Sequence, residues 1–177
     1  ELVDEAERQF LAHAHFLADR RTGLWFHGWT FAGRHNFAGA LWARGNAWIT
    51  AGLVDLFELA DLSPGVRLHL ESLLGDQVDA LLPLQDAAGM WHTLLQEPES
   101  YPETSATAGF AYGLLKGARL GLGDERWRAA GLRALDAVIG AVDAQGRLYF
   151  IDRFFQRIWR WSDAGKLEMV RDASLDP

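Results

Sequence analysis

The sequence predicts an all-α fold assembled from stacked helical hairpins, and three observations predict it. Apolar residues recur at the 3.6-residue helical period in five segments, beginning with "LVDEAERQFLAHAHFLA". Strictly alternating runs longer than a few residues, the mark of a half-buried strand, are missing. After every second helical segment the same loop returns: an Asp, a short gap, a Gly, then an aromatic residue, with the glycines at Gly23, Gly89 and Gly146. Their spacings are 66 and 57 residues, and each interval holds two helices, so the repeating unit is a hairpin that buries its apolar face by stacking on its neighbours.

The first helix is expected over residues 2–18, with Leu2, Ala6, Phe10, Ala14 and Leu17 along one face. His13 and His15 fall within it without metal-ligand spacing to another ligand and are read as solvated or core residues. "DRRTGLWFHGW" stops this helix and opens an extended loop. A second helix spans about 41–60 and ends at "DLSPG", where Pro64 suits the first turn of a third helix over about 65–84. "QDAAGMWHTLL" repeats the loop with Asp86, Gly89 and Trp91; a fourth helix follows Pro102, over about 103–120. A fifth, about 124–142, ends at "DAQGRLYF", the third copy of the loop, with Asp143, Gly146 and Tyr149. Residues 1–150 thus form the hairpin segment, and residues 151–177 a tail without a place in it. At roughly 60 residues per hairpin, a closed ring of six hairpins, an α/α toroid, needs on the order of 360 residues. With 177 residues, the chain is expected to supply about half of that ring and to lack an N-terminal half, or else to self-associate through the apolar sides of its end hairpins.

Composition narrows the function. A formal charge of -7 with no run of Lys or Arg argues against nucleic acid or an anionic membrane as partner, so any anion must be held by a few placed cations. No stretch approaches the roughly 20 apolar residues of a spanning helix, and no basic-then-apolar leader is visible, so a soluble, cytoplasmic protein is expected. The chain opens on Glu1 rather than Met, as a processed or partial product would. With no cysteine, disulfides and thiolate chemistry are excluded. No phosphate-binding Gly-rich loop, His/Glu metal pair or serine elbow is present, and no metal or cofactor is expected.

The chemistry gathers in the loops and at the helix starts after them: Trp25, His27 and Trp29; Trp42, Arg44, Asn46 and Trp48; Trp91 and His92; Tyr101, Glu103, Thr104 and Ser105. Hairpins around one axis would open all these loops on one end, where they converge on one pocket. In "LWARGNAW", Arg44 and Trp48 lie one turn apart on a helix face. An arginine opening a helix opposes the macrodipole, while its planar fork suits a carboxylate. Trp42 and Trp48 offer flat apolar faces for the C–H side of a sugar ring and N–H donors for hydroxyls. Gly39, Gly45 and Asn46 would let backbone approach the bound molecule. The alternative keeps both tryptophans in the core and pairs Arg44 with an internal acid. His27, flanked by Gly23 and Gly28, either contacts a ligand or is structural. Hydrogen bonding and capping at the start of the fourth helix account for Glu103, Thr104 and Ser105.

The motifs "TGLWFHGW", "LWARGNAW", "LLPLQDAAGMWHTLLQEPESYPETSATAGFAYGLLKGARLG" and "AVDAQGRL" resemble those of glycoside hydrolase family 105, the unsaturated rhamnogalacturonyl hydrolases, and more distantly of family 88, the unsaturated glucuronyl hydrolases. The resemblance runs over residues 1–148. It implies a six-hairpin (α/α)6 glycosidase barrel and a substrate whose terminal uronic acid carries a C4=C5 double bond, as pectin or rhamnogalacturonan lyases leave behind. It also implies hydration of that double bond, followed by collapse of a hemiketal, in place of ordinary two-carboxylate hydrolysis. On that resemblance His27 faces the unsaturated sugar, Arg44 holds its polar groups including the carboxylate, Trp42 and Trp48 wall the pocket, and Trp25 is counted among the substrate-binding residues. The family's general acid is an Asp in a Trp-x-Asp motif upstream of the His27 loop, and here the first tryptophan is already Trp25. The catalytic acid is therefore expected outside this chain. The tail from residue 151 matches nothing in the family. Two alternatives stand beside the hydrolase: a carbohydrate-binding or remnant protein without chemistry, and a sugar epimerase using His27 and His92.

Overall fold

In the computed structural model five α-helices occupy the periodic segments among the described residues: α1 (Leu2–Leu17), α2 (Ala43–Leu59), α3 (Pro64–Leu81), α4 (Thr104–Arg119) and α5 (Glu125–Gly140). The structure describes residues 2–140, 149–152, 157–161 and 167–172. The chain divides into two units, Glu1–Val138 and Ile139–Pro177.

Helix limits follow local chemistry. Pro64 sits in the first turn of α3, where a missing N–H costs nothing. Pro83 then turns the end of α3 into a short 3-10 segment, Leu82–Leu84. The end of α4 is a Schellman cap: Gly121 adopts φ +74°, its N–H reaches Ala118 O at 3.1 Å, and the Leu122 N–H reaches Gly117 O at 3.0 Å.

Within the first unit, α2 and α4 run side by side in the same direction. Arg44 meets Glu103, Ala47 lies under Gly109, Thr50 under Gly113, and Asp55 meets Lys116. The glycine stripe sets this closeness, since a Cβ at Gly109 or Gly113 would stand 2.9 Å from Ala47 Cβ or 2.6 Å from Thr50 Cγ2. α3 returns antiparallel to α2, with Gln77 bonded to Thr50 at one end and Arg67 to the Phe57 carbonyl at the other. α5 returns antiparallel to α4, with Trp127 against Gly117 and Gly131 against Leu115. The core between the helices contains Leu53, Val54, Leu70, Leu74, Val78, Trp91, Phe110 and Leu114, all buried. Repeated hairpins with α2 and α4 in one layer and α3 and α5 behind them put both long loops, residues 18–42 and 85–103, at the N-terminal ends of α2 and α4.

The first two repeat loops are built alike. Gly23 and Gly89 adopt φ +80° and +87°, and their N–H groups bond to Asp19 O and Asp86 O. A Cβ at Gly23 would come within 2.5 Å of Asp76 O in α3, and one at Gly89 within 2.6 Å of Arg133 O in α5. Each loop therefore rests on the backbone of a helix from the next hairpin, which is how neighbouring hairpins are locked in stack. The third copy cannot be compared, because Asp143 and Gly146 lie outside the described residues.

Two small sheets complete the description. A two-pair hairpin, β1 (Trp29–Thr30) with β2 (His35–Asn36), lies in the first loop. In the second unit β3 (Tyr149–Asp152), β4 (Arg157–Trp161) and β5 (Leu167–Asp172) form an antiparallel sheet in the order β3-β4-β5. The sequence reading assigned no strands here. In β5 adjacent Met169 and Val170 break strict alternation, and Val170 is the residue left over where Ile158 and Trp159 pair with Arg171 and Met169, so a bulge hides the period of two.

Candidate functional site

Because α2 and α4 are parallel, their N-termini lie together, and the two long loops are stitched across them. The Ala43 N–H bonds to Thr93 O at 2.9 Å and the Leu95 N–H to Leu41 O at 3.0 Å. The loops thus converge at one end, as the repeat requires.

Trp42 is the residue that caps α2, and its extended backbone makes no side-chain cap bond, which leaves the indole to pack elsewhere. The His27 ring meets Trp42 edge-on at 4.6 Å, and Trp42 meets Trp48 edge-on at 5.5 Å. Gly45 permits the cluster: a Cβ there would stand 3.3 Å from Trp42 and 3.4 Å from His27 Nδ1. His27 is exposed and Trp48 is 60% exposed, a large apolar ring left facing outward. A cavity of about 330 Å³ opens beside them, lined in part by Phe10, His13, Trp25, His27 and Trp48. Trp42 and Arg44 are not on its lining and adjoin it through the ring contacts of Trp42 with His27 and Trp48.

Arg44 lies with its guanidinium carbon 5.2 Å from the Trp42 ring centre, a cation–π distance. Its Nε donates to Glu103 Oε1 at 2.5 Å. Glu103 is 3% exposed, and its Oε1 also accepts from Ser105 Oγ at 2.9 Å. Its Oε2 is buried with no hydrogen-bond partner among the described residues. Glu103 occupies the cap position of α4, yet its side chain makes no cap bond, so capping does not account for it. Nothing local in the sequence marks the Arg44–Glu103 pair, whose members stand 59 residues apart.

The remaining expected residues separate from this cluster. Trp25 is only 2% exposed and forms the wall between core and cavity, with its indole N–H buried and unpartnered among the described residues. Asn46 is fully buried: it accepts from the Trp25 N–H at 2.8 Å and donates to Trp25 O at 2.9 Å, which ties the first loop to α2 and removes the amide from ligand contact. Trp91 is core, packed on Phe110 with its indole N–H bonded to Leu81 O at 2.8 Å. His92 braces its own loop through Asp86 Oδ2 at 3.2 Å and the Ser100 carbonyl. His13, read as solvated or core, is exposed and also lines the cavity. Among the described residues no group of three or more His, Cys, Asp or Glu could hold a metal, and no helix is long and apolar enough to cross a membrane.

Known proteins share this arrangement of hairpins. The family model for Glycosyl Hydrolase Family 88 matches residues 1–155. The unsaturated rhamnogalacturonyl hydrolase YesR of Bacillus subtilis is 32% identical over 145 residues, which cover 82% of this chain and 40% of YesR. A protein of Agrobacterium fabrum is 37% identical over 166 residues, covering 82% of this chain and 69% of its own. The crystal structure of a possible GH105 family member from Salmonella enterica is 46% identical with a TM-score of 0.79, covering 83% of this chain and 39% of that one. One from Klebsiella pneumoniae is 43% identical with a TM-score of 0.78, covering 94% and 45%. The hairpins are those of the six-hairpin glycosidase fold, and the chain spans 40% of the length of YesR.

Proposed function

The chain belongs to Glycosyl Hydrolase Family 88, and from that premise we propose that it supplies the saccharide-holding part of a glycoside hydrolase acting on unsaturated uronyl oligosaccharides. The observation that carries this reading is the cluster at the start of α2: three rings in edge contact, one of them 60% exposed, with an arginine over the middle ring. A pyranose C–H face stacks on Trp48, His27 points at the reacting end of the sugar, and Arg44 donates to the carboxylate. Relatives whose names specify unsaturated rhamnogalacturonyl and rhamnoglycuronyl hydrolases support the substrate class.

Protonation of a C4=C5 double bond needs a carboxylic acid open to the sugar, with its proton held at the working pH. The two buried carboxylates among the described residues are both engaged. Asp19 accepts from Arg21 and Thr22, and Glu103 accepts from Arg44 and Ser105. In this reading the chain binds and orients, and an Asp carried outside it protonates. A binding protein without chemistry is the second reading, favoured by the same engaged carboxylates.

Mixing the chain with an unsaturated uronyl disaccharide tests both. Calorimetry is expected to register binding, while absorbance of the conjugated double bond persists. Loss of that absorbance at a steady enzymatic rate would overturn the claim that the acid lies elsewhere. No heat of binding would overturn the saccharide-holding reading. A Trp-x-Asp in the coding sequence upstream of Glu1 favours the hydrolase over the binding protein.

A further inference from the structure

We propose that Glu103 is a positioning residue for uronate recognition: it fixes the Arg44 guanidinium so that the terminal Nη1/Nη2 edge faces the ligand carboxylate. This rests on the reading that the site holds a uronyl sugar. A guanidinium can grip a carboxylate side-on through Nε and one Nη, or end-on through both Nη atoms. Here the Nε is taken by Glu103 Oε1 at 2.5 Å, and the terminal nitrogens make no hydrogen bond among the described residues. The end-on edge is the one left for an anion.

Three further features fit positioning better than general structural support. Glu103 is 3% exposed, so its carboxylate is held rigidly, and Ser105 Oγ steadies the same oxygen at 2.9 Å. The Trp42 ring, 5.2 Å from the guanidinium carbon, restrains the group from a second direction. The Oε2 atom is buried and unpartnered among the described residues, a costly arrangement that a well-capped helix start does not need. The pair is also close to electrically neutral, so a carboxylate is selected by the geometry of two donors rather than by an unbalanced positive charge. Lysine, a point charge on a flexible stem, cannot hold Glu103 and present such a fork together.

The test uses the full chain and two probes, an unsaturated uronyl disaccharide and its methyl ester, with affinities from calorimetry and folding followed by circular dichroism and Tm. The unaltered chain is expected to prefer the acid over the ester by at least about tenfold, the scale of one charge-assisted pair. Glu103→Ala is expected to erase that preference while ester binding stays within about threefold. Glu103→Gln, whose amide oxygen still accepts from Arg44 Nε, is expected to restore it, and Arg44→Lys to lack it. Because Glu103→Gln keeps the shape of the side chain, it decides the case if the alanine variant fails to fold: loss of acid preference in a folded Gln variant overturns the proposal. An acid preference that survives in folded Glu103→Ala overturns the proposal alone, as does an equal fall for both probes. Failure of the unaltered chain to bind either probe overturns the uronyl reading and this inference with it.

Discussion

The two Asp–Gly–Trp loops share a scaffold and differ in what they leave unsatisfied. In each, a positive-φ glycine rests on a helix carbonyl, and the tryptophan N–H that follows is taken by a side chain from the next helix. That side chain is Asn46 in α2 for Trp25 and Thr107 in α4 for Trp91. In the second loop the indole and the imidazole are both tied to the fold. The Trp91 indole bonds to Leu81 O, and His92 is tied to Asp86 and Ser100. In the first loop the Trp25 indole N–H has no partner among the described residues, and His27 is exposed against Trp42. One copy of a repeat has been closed into structure, while the other keeps open the groups that face a cavity. A repeat provides the frame, and its departures from symmetry mark the site.

Trp91→Ala should cost about 3–5 kcal/mol, because a fully buried ring and a buried hydrogen bond go together. The phenylalanine variants isolate the N–H: Trp91→Phe should cost about 1 kcal/mol more than Trp25→Phe, since only the first loses a made bond. Urea denaturation read by the helical signal checks this, and equal costs would mean that the Trp25 N–H is satisfied in solution.

The shared part of the scaffold is tested at the glycines. Gly23→Ala and Gly89→Ala should each destabilise by roughly 2–3 kcal/mol and by similar amounts, since both combine a left-handed backbone with a Cβ driven into a carbonyl. A large difference in the same denaturation series would show that only one loop locks its hairpins.

The smallest effect is in acid. Burial alone would raise the Asp19 carboxyl, but the Arg21 backbone N–H and guanidinium and the Thr22 hydroxyl outweigh it and hold the group below its ordinary range. A lowered folded-state pKa gives stability that is present above the unfolded value, about 3.9, and lost as pH falls through the folded one. Asp19→Asn should therefore flatten the loss of stability below about pH 4. An acid limb as steep as that of the unaltered chain would remove Asp19 from the account.

Much of this was legible in the residues. The five helices stand close to where the apolar period puts them, because burying a 3.6-residue stripe leaves little choice of element. The loop repeat was visible because positive φ beside a packed carbonyl leaves glycine little competition, and Gly23 and Gly89 both meet that demand. Other features were hidden for physical reasons. Trp91 and Trp25 look alike in sequence, and only the carbonyl of Leu81 distinguishes them. Asn46, expected to let the backbone approach a bound molecule, is a buried staple between loop and helix. The sheet of the second unit was masked by its own bulge at Val170 in β5.

The hairpin architecture, the loops that recur in it, and the placement of Trp42, Arg44 and Trp48 at the opening of α2 follow from the order of residues alone. These depend on periodicity and backbone conformation, which neighbours in the chain set. That Arg44 meets Glu103, that His27 rather than His92 stays open, and that Trp25 is wall rather than face came from distant segments folding onto one another. Those outcomes depend on which groups from distant helices arrive within hydrogen-bonding reach, and parallel packing of α2 on α4 brings them there.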